Sequence, residues 1–407
     1  MLPDMIPIRQ MMSGESLPDV VDAMERALLS LGLERSIRPG MRIGIPAGSR
    51  GICQIPLLLR VMAEHVRRLG AEPVVVTAMG SHGGGTVEGQ LAVLQSLGVT
   101  PEAVGAPVVG NADSVVVAQS DHGEPVYFDK VLAACDGLLV LNRIKPHTSF
   151  HGKLESGLTK MLVVGCGKAP GARQFHSLGA GRLSGRLQEF GRLILQRLPV
   201  LGGVAVLENG REEIAALEPV LPEGWIASEE RLLERARDLL PRLPVDRLDL
   251  LVVDAMGKNY AGTGMDTNVI GRIGIRGVPD VGPTIGRVVV LDLSEGSHGN
   301  ANGMGLADFI TRRFAGKIDF PATYLNTLTA TFVERAKMPI VMESDQEAIE
   351  TALRTLGNPP APRIMRIPNT LELERLWVSP AVLVDLPRAM VEGAPLPWRF
   401  DRNGNLL

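Results

Sequence analysis

The stretch PVVVTAMGSHGGGTVEGQLAVLQSL, residues 73–97, decides the fold. Residues 73–78 are apolar and rich in valine, the composition of a buried strand. MGSHGGGT (79–86) is a glycine-rich loop, and residues 86–97 place apolar side chains at helical spacing. The segment therefore reads strand, loop, helix. Toward the N-terminus the same order recurs: a strand at 42–46, the loop AGSRG (47–51) and a helix at 56–69. A helix over 16–32 precedes them, with Ser16 as its cap, Asp19 in its first turn and Gly32 as its stop. Toward the C-terminus, the strand 138–144 contains LLVL and enters KPHTSFHGKLESGLTK (145–160), and 204–207 is a further strand. Near-continuous apolar strands alternating with helices predict an α/β class with largely parallel sheets covered on both faces.

The composition shifts at 220–245, where ALEPVLPEGW precedes a charged helix, SEERLLERARDLL, and then PRLPVDRLD. This reads as a linker region. It divides the chain into an N-terminal α/β domain (1–245) and a C-terminal α/β domain (246–407), with an expected active-site cleft between them. The second domain has strands at 250–254, 287–293 and 339–342 and helices at 306–314, 322–336 and 345–356. Ser344 and Glu347 form a capping box for the last helix, and Gly357 stops it.

The bulk numbers exclude several classes of function. With 42 Lys and Arg against 45 Asp and Glu, the net charge of −3 offers nothing to nucleic acid or to an anionic membrane. Aromatics at 4% supply no stacking platform for single strands. Three cysteines, Cys53, Cys135 and Cys166, fit neither a disulfide framework nor an iron–sulfur cluster, and they suit a reducing compartment. No apolar run of about 18 residues occurs. The N-terminal residues lack the basic and apolar regions of a signal peptide, so a cytoplasmic location is expected. The sequence sets no oligomeric state, and a homo-oligomer is compatible with it.

Chemistry concentrates in loops that follow strands, which in parallel sheets gather at one edge. His82 stands among Gly83, Gly84 and Gly85 ahead of a helix, where a phosphate could be cradled; the plain alternative is a flexible turn. His147, His151 and Glu155 recur every four residues, a spacing that on a helix would suit zinc, although Gly152 and Gly157 weaken a helix there. A polar loop with one satisfied histidine is the competing reading. Lys160 opens the apolar run LTKMLVVGCG, where a lysine either snorkels or is desolvated and nucleophilic. His176 follows sixteen residues later. His65, on a helix near Arg67 and Arg68, reads as solvated, and His122 lies in a turn, DHGEP. In the second half, 256–272 and 294–309 are loops rich in Gly and Asn that contain Asn259, Asp266, Asn300 and Asn302.

Taken together, these pieces resemble the nickel-pincer lactate racemase family over nearly the whole length, and most specifically in the first half. The shared pattern is an arginine loop after the first strand (Arg50), Gly-Ser-His after the second (His82), Pro-His after a later strand (His147), then Lys160 and the distant His176. The resemblance implies a cofactor, a nickel-bearing pyridinium-3,5-bisthiocarboxylic acid mononucleotide, supplied by cofactor-synthesis enzymes. It implies that Lys160 anchors one sulfur arm as a thioamide and that His176 is a nickel ligand. His82 and His147 would then be alternating acid and base on opposite faces of a small 2-hydroxy acid, which is racemised or epimerised by hydride transfer to and from the cofactor. The near-neutral pKa of histidine suits both roles. Arg50 would hold the substrate carboxylate, with Asn302 as a further substrate contact and Gly83, Gly84 and Gly85 at the nucleotide phosphate.

The sequence also departs from the pattern. Lactate racemases carry an acidic residue shortly before the loop arginine, where this chain has Pro46-Ala47-Gly48-Ser49. The segment after His147 is longer and adds His151. These differences favour a larger or differently substituted acid than lactate. Two alternatives stand beside the racemase: a zinc hydrolase built on His147, His151 and Glu155, and a non-catalytic nucleotide- or metal-binding protein.

Overall fold

The computed structural model describes residues 2–12, 14–49, 51–80, 82–177 and 179–407, with the backbone alone for His176 and Ala180. The first strand, β1 (Ile6–Arg9), pairs antiparallel with a strand near the other end of the chain, Arg375–Val378. The chain accordingly divides into Ser13–Leu240 and a second unit made of Met1–Met12 and Pro241–Leu407.

The Ser13–Leu240 unit is built on a six-stranded sheet. Its strands are β2 (Arg42–Ala47), β3 (Glu72–Thr77), β4 (Val108–Val109), β7 (Gly137–Arg143), β8 (Val200–Glu208) and β9 (Ile214–Val220). β5 (Ser114–Gln119) and β6 (Pro125–Asp129) form a separate hairpin. The sheet order is β4-β3-β2-β7-β8-β9, with only β9 antiparallel to its neighbour. Apolar residues fill both faces. Ile43, Ile45, Val75 and Leu139 pack under helices Val20–Ser30 and Ile55–Arg68. On the other face Val74, Val76, Leu138 and Val140 pack against helices Leu183–Arg197 and Trp225–Leu239. Burial on both faces is why these strands read as continuous apolar runs.

The chain leaves β2 toward β3 and β4, then returns to β7 on the other side of β2. The loops after β2 and β7 thus diverge at a topological switch point, where parallel α/β sheets open a crevice for ligands.

The second unit has a seven-stranded sheet of order β1-β15-β14-β10-β11-β12-β13. It comprises β10 (Arg247–Met256), β11 (Thr284–Leu293), β12 (Phe309–Thr311), β13 (Ile340–Met342), β14 (Ile364–Ile367) and β15 (Arg375–Val378) besides β1. β14-β10-β11-β12-β13 run parallel. The class expected from the sequence, α/β with largely parallel sheets, is the class observed.

Several local expectations are corrected. The first helix starts at Val20, capped by the Asp19 side chain on Asp22 N, because Pro18 disfavours helical backbone in the residue before it. Residues 306–314 are not one helix. Phe309–Thr311 is a strand between β11 and β13, and a short helix, Arg312–Gly316, follows it. The charged helix stands as expected, at Trp225–Leu239, but it is no linker: it buries Trp225, Leu232 and Leu233 in the core of the Ser13–Leu240 unit. The Ser344 cap, bonded to Glu347 N, and Gly357 at φ 79° stand as expected.

Candidate functional site

Three loops leave the same edge of the six-stranded sheet, after β2, β3 and β7. The first two are joined by Ser49 Oγ, 2.9 Å from His82 Nδ1. Beyond His82, Gly83, Gly84 and Gly85 have φ of 62°, 68° and 71°, three successive left-handed residues that only glycine adopts without strain. A Cβ on Gly83 would lie 2.3 Å from the carbonyl carbon of Gly89, so the loop is folded tightly onto the first turn of the helix Val87–Ser96. Thr86 caps that helix by accepting from Gly89 N. Such a run of backbone amides before a capped helix is suited to an anion.

The loop after β7 is closed by backbone hydrogen bonds in both directions between Lys145 and Ser156. Inside it lies the buried Glu155. Its carboxylate accepts from His147 N at 2.6 Å, Gly152 N at 3.1 Å and Arg237 at 2.7 Å, and it faces His151 Nδ1 at 3.4 Å. Burial pushes this carboxyl's pKa up, but the hydrogen bonds outweigh it and hold the group below its ordinary value. Residues 145–156 form no helix, and Glu155 is spent on organising the loop. Among the described residues no group of three or more His, Cys, Asp or Glu could hold a metal ion, so the zinc spacing does not become a zinc geometry.

His147 is oriented by its own loop. Ser149 N–H donates to its Nδ1 at 3.0 Å, which places the proton of the neutral ring on Nε2. Its ring lies 4.4 Å from that of Phe150, which is buried and makes an edge contact with Phe175 at 6.2 Å. The Lys160 ammonium stands 5.8 Å over the same Phe150 ring, a cation–π distance. Phe150 thus brings together His147, the half-buried Lys160 and the residue next to His176.

Lys160 ends a short helix, Leu158–Lys160, and enters a π-helical turn, Met161–Gly165, closed by Cys166 N donating to Met161 O at 2.8 Å. Such turns concentrate at functional sites. Glycines let the segment press against the other two loops. A Cβ on Gly48 would lie 2.9 Å from Met161 Cε, and one on Gly165 2.9 Å from Ala78 O. The helix Lys168–His176 continues the segment. Its first residue, Lys168, is fully buried at φ 56°. The Lys168 ammonium donates to Thr77 O at 2.7 Å and Gln90 Oε1 at 2.8 Å, and it pairs with the buried Asp129 at 3.5 Å. Gln90 in turn donates to Met79 O at 3.1 Å. Lys168 therefore ties the helix bearing His176 to both flanks of the His82 loop. Burial lowers its pKa, and the Asp129 charge opposes that shift.

Of the residues expected from the sequence, His82, His147 and Lys160 lie on loops and turns that meet at this edge. Arg50 lies outside the described residues, as does the side chain of His176. Asn302 belongs to the other unit, where it is buried. It donates to Asn326 Oδ1 at 3.1 Å and accepts from Thr327 Oγ1 at 3.1 Å. His65 is buried rather than solvated, and burial lowers its pKa. Sequence reasoning missed Ser49, Phe150, Lys168 and the buried carboxyl of Glu229. For Phe150 the signal was present: with Leu154 it is one of two large apolar residues in a polar loop.

The fold can be compared with solved structures. The chain is similar to a lactate racemase apoprotein from Thermoanaerobacterium thermosaccharolyticum, with a TM-score of 0.53 and 14% identity over 91% of this chain and 99% of that one. It therefore has a lactate racemase-like fold. A protein from Thermotoga maritima is also similar, at a TM-score of 0.46 and 14% identity over 69% of this chain and 72% of that one. No protein-family model and no curated protein matches the sequence. Among the described residues no helix is long and apolar enough to cross a membrane.

Proposed function

We propose that this chain is a racemase or epimerase of a small 2-hydroxy acid that works with a nickel-pincer nucleotide. The observation that carries this reading is the convergence around Phe150. In a lactate racemase-like fold, one edge of a parallel sheet brings His147, Lys160 and the helix ending at His176 to the same buried ring. The residues present suit such a group. An amine and, sixteen residues on, an imidazole can hold it, and the buried Phe150 ring backs both the His147 ring and the Lys160 amine. Lys160 would hold it through a thioamide and His176 through nickel, a metal for which imidazole is apt. Gly83, Gly84 and Gly85 would receive its phosphate. When bound, the group supplies a place for the substrate hydride to go and to return from.

The protein's own side chains handle the proton and the orientation. His82 and His147 are both oriented through Nδ1, by Ser49 Oγ and Ser149 N respectively, so proton exchange with a substrate hydroxyl runs through Nε2. Two histidines so held can serve the two faces of a carbon that becomes planar and is then restored. Arg50 would hold the substrate carboxylate by a bidentate pair.

The test is intact mass and metal content of protein produced together with the cofactor-synthesis enzymes, followed by a chiral assay over a panel of 2-hydroxy acids. A covalent adduct, bound nickel and interconversion of one substrate's stereoisomers are expected. Unmodified, nickel-free protein that interconverts nothing would overturn the reading.

A further inference from the structure

Glu229 is a fully buried carboxyl that none of the preceding chemistry uses. It lies on the helix Trp225–Leu239, and its oxygens accept from Thr159 N at 3.0 and 3.2 Å and from Thr159 Oγ1 at 2.5 Å. Trp225, one turn earlier, donates its indole N–H to the same hydroxyl at 3.1 Å. Every donor to Glu229 is neutral, so burial dominates and raises the carboxyl to about 7. Its position is that of a cap. Gly157, Leu158 and Thr159 open the segment that carries Lys160, and the carboxyl satisfies amide groups that a helix start leaves without intrahelical partners. The approach is close enough to dictate sequence. A Cβ on Gly157 would fall 1.9 Å from Glu229 Oε1, although Gly157 has φ 173°, an extended backbone open to any residue. Glycine is required there by the carboxyl, not by the backbone.

We propose that Glu229 is a positioning residue for Lys160: a carboxyl on a helix seventy residues away fixes the start of the lysine's segment and so sets the reach of its amine into the site. This rests on the reading of Lys160 as the attachment point. The bond in question forms when the amine of Lys160 condenses with a thiocarboxylic acid to a thioamide, releasing one water. That step needs the amine at bonding distance, and displacements of about 1 Å cost up to ~10²-fold in rate.

The experiment uses the full chain in two forms. Protein produced with the cofactor-synthesis enzymes is scored by intact mass for adduct at Lys160. Apoprotein is trace-labelled with acetic anhydride, and the labelling of Lys160 is compared with that of Lys153 and Lys130. Glu229→Ala and Gly157→Ala should each slow adduct formation on the order of tenfold and change the relative labelling of Lys160. Combining them should add little, because both act through one contact. Thr159→Val, which keeps the carboxyl, should give a smaller loss, and Glu229→Gln, which keeps the shape, should rescue most of it. Folding is checked by circular dichroism, and Thr159→Val serves if Glu229→Ala does not fold. Folded Glu229→Ala and Gly157→Ala proteins with wild-type adduct and wild-type labelling would overturn the proposal. A wild-type protein that never forms an adduct, in a background where these variants still shift Lys160 labelling, would overturn the attachment reading and leave the positioning role standing.

Discussion

Ser49 Oγ sits 2.9 Å from His82 Nδ1, so the loop after β2 orients an imidazole on the loop after β3. A hydroxyl can accept from or donate to that nitrogen, and either arrangement fixes the ring through Nδ1. Ser49→Ala is therefore expected to lower kcat by about tenfold, the effect of one lost hydrogen bond of ~1 kcal/mol or slightly more. Nickel content should stay at the wild-type level. Steady-state kinetics with metal analysis checks this, and loss of nickel in Ser49→Ala would show that the contact supports the cofactor instead.

His82→Ala and His147→Ala should each lose interconversion by ~10²–10⁴, the usual contribution of a general acid–base group. Both should retain nickel, since neither is placed as its ligand. His151→Ala removes only an exposed ring 3.4 Å from Glu155 and should alter KM more than kcat. A zinc hydrolase would behave differently: His147→Ala would strip the metal and His82→Ala would not. Metal analysis of the three purified variants decides between the two outcomes.

How much of this was legible in the sequence depended on the kind of signal. β2, β3, β7, β10 and β11 announce themselves because strands buried on both faces read as runs of Val, Ile and Leu. β12 did not, because three residues are too few to show a period and only pairing with β11 and β13 makes them a strand. Glu229 hid in the charged run SEERLLERARDLL, yet it shares the inward stripe of that helix with Trp225, Leu232, Leu233 and Ala236, and a glutamate on an apolar stripe is a readable anomaly. Lys168 was not readable. Its importance comes from Thr77, Gln90 and Asp129, three residues distant in sequence that only the fold brings to its ammonium.

Glu229 also predicts a pH dependence. Its folded-state pKa of about 7 lies above the ordinary carboxyl value of 4.5. The folded protein thus holds this proton where the unfolded chain has lost it, and the contribution to stability is complete below 4.5 and lost as pH rises through about 7. The difference amounts to roughly 3 kcal/mol at most. Glu229→Gln should match the wild type near pH 5 and exceed it near pH 8. Urea unfolding of both proteins at the two pH values checks this, and parallel behaviour of wild type and variant would show that Glu229 is not the group responsible.

Lys168 and Asp129 offer a sharper separation of stability from placement. Asp129 Oδ1 caps a short helix through Val131 N and Leu132 N, while its buried Oδ2 has the Lys168 ammonium as counter-charge. Lys168→Met leaves that carboxylate buried and unpaired and should cost about 3–5 kcal/mol. Adding Asp129→Asn removes the charge and keeps an oxygen for the cap, so the double variant should recover most of the loss. Recovery of function should not follow. The same ammonium holds Thr77 O and Gln90 Oε1, and with it gone the His82 loop loses its tie to the helix that ends at His176. The double variant is therefore expected to unfold near the wild-type urea midpoint yet turn over at least about tenfold more slowly, since misplacement on the ångström scale costs that much or more. Wild-type kcat in the stable double variant would reduce Lys168 to a partner for a buried charge.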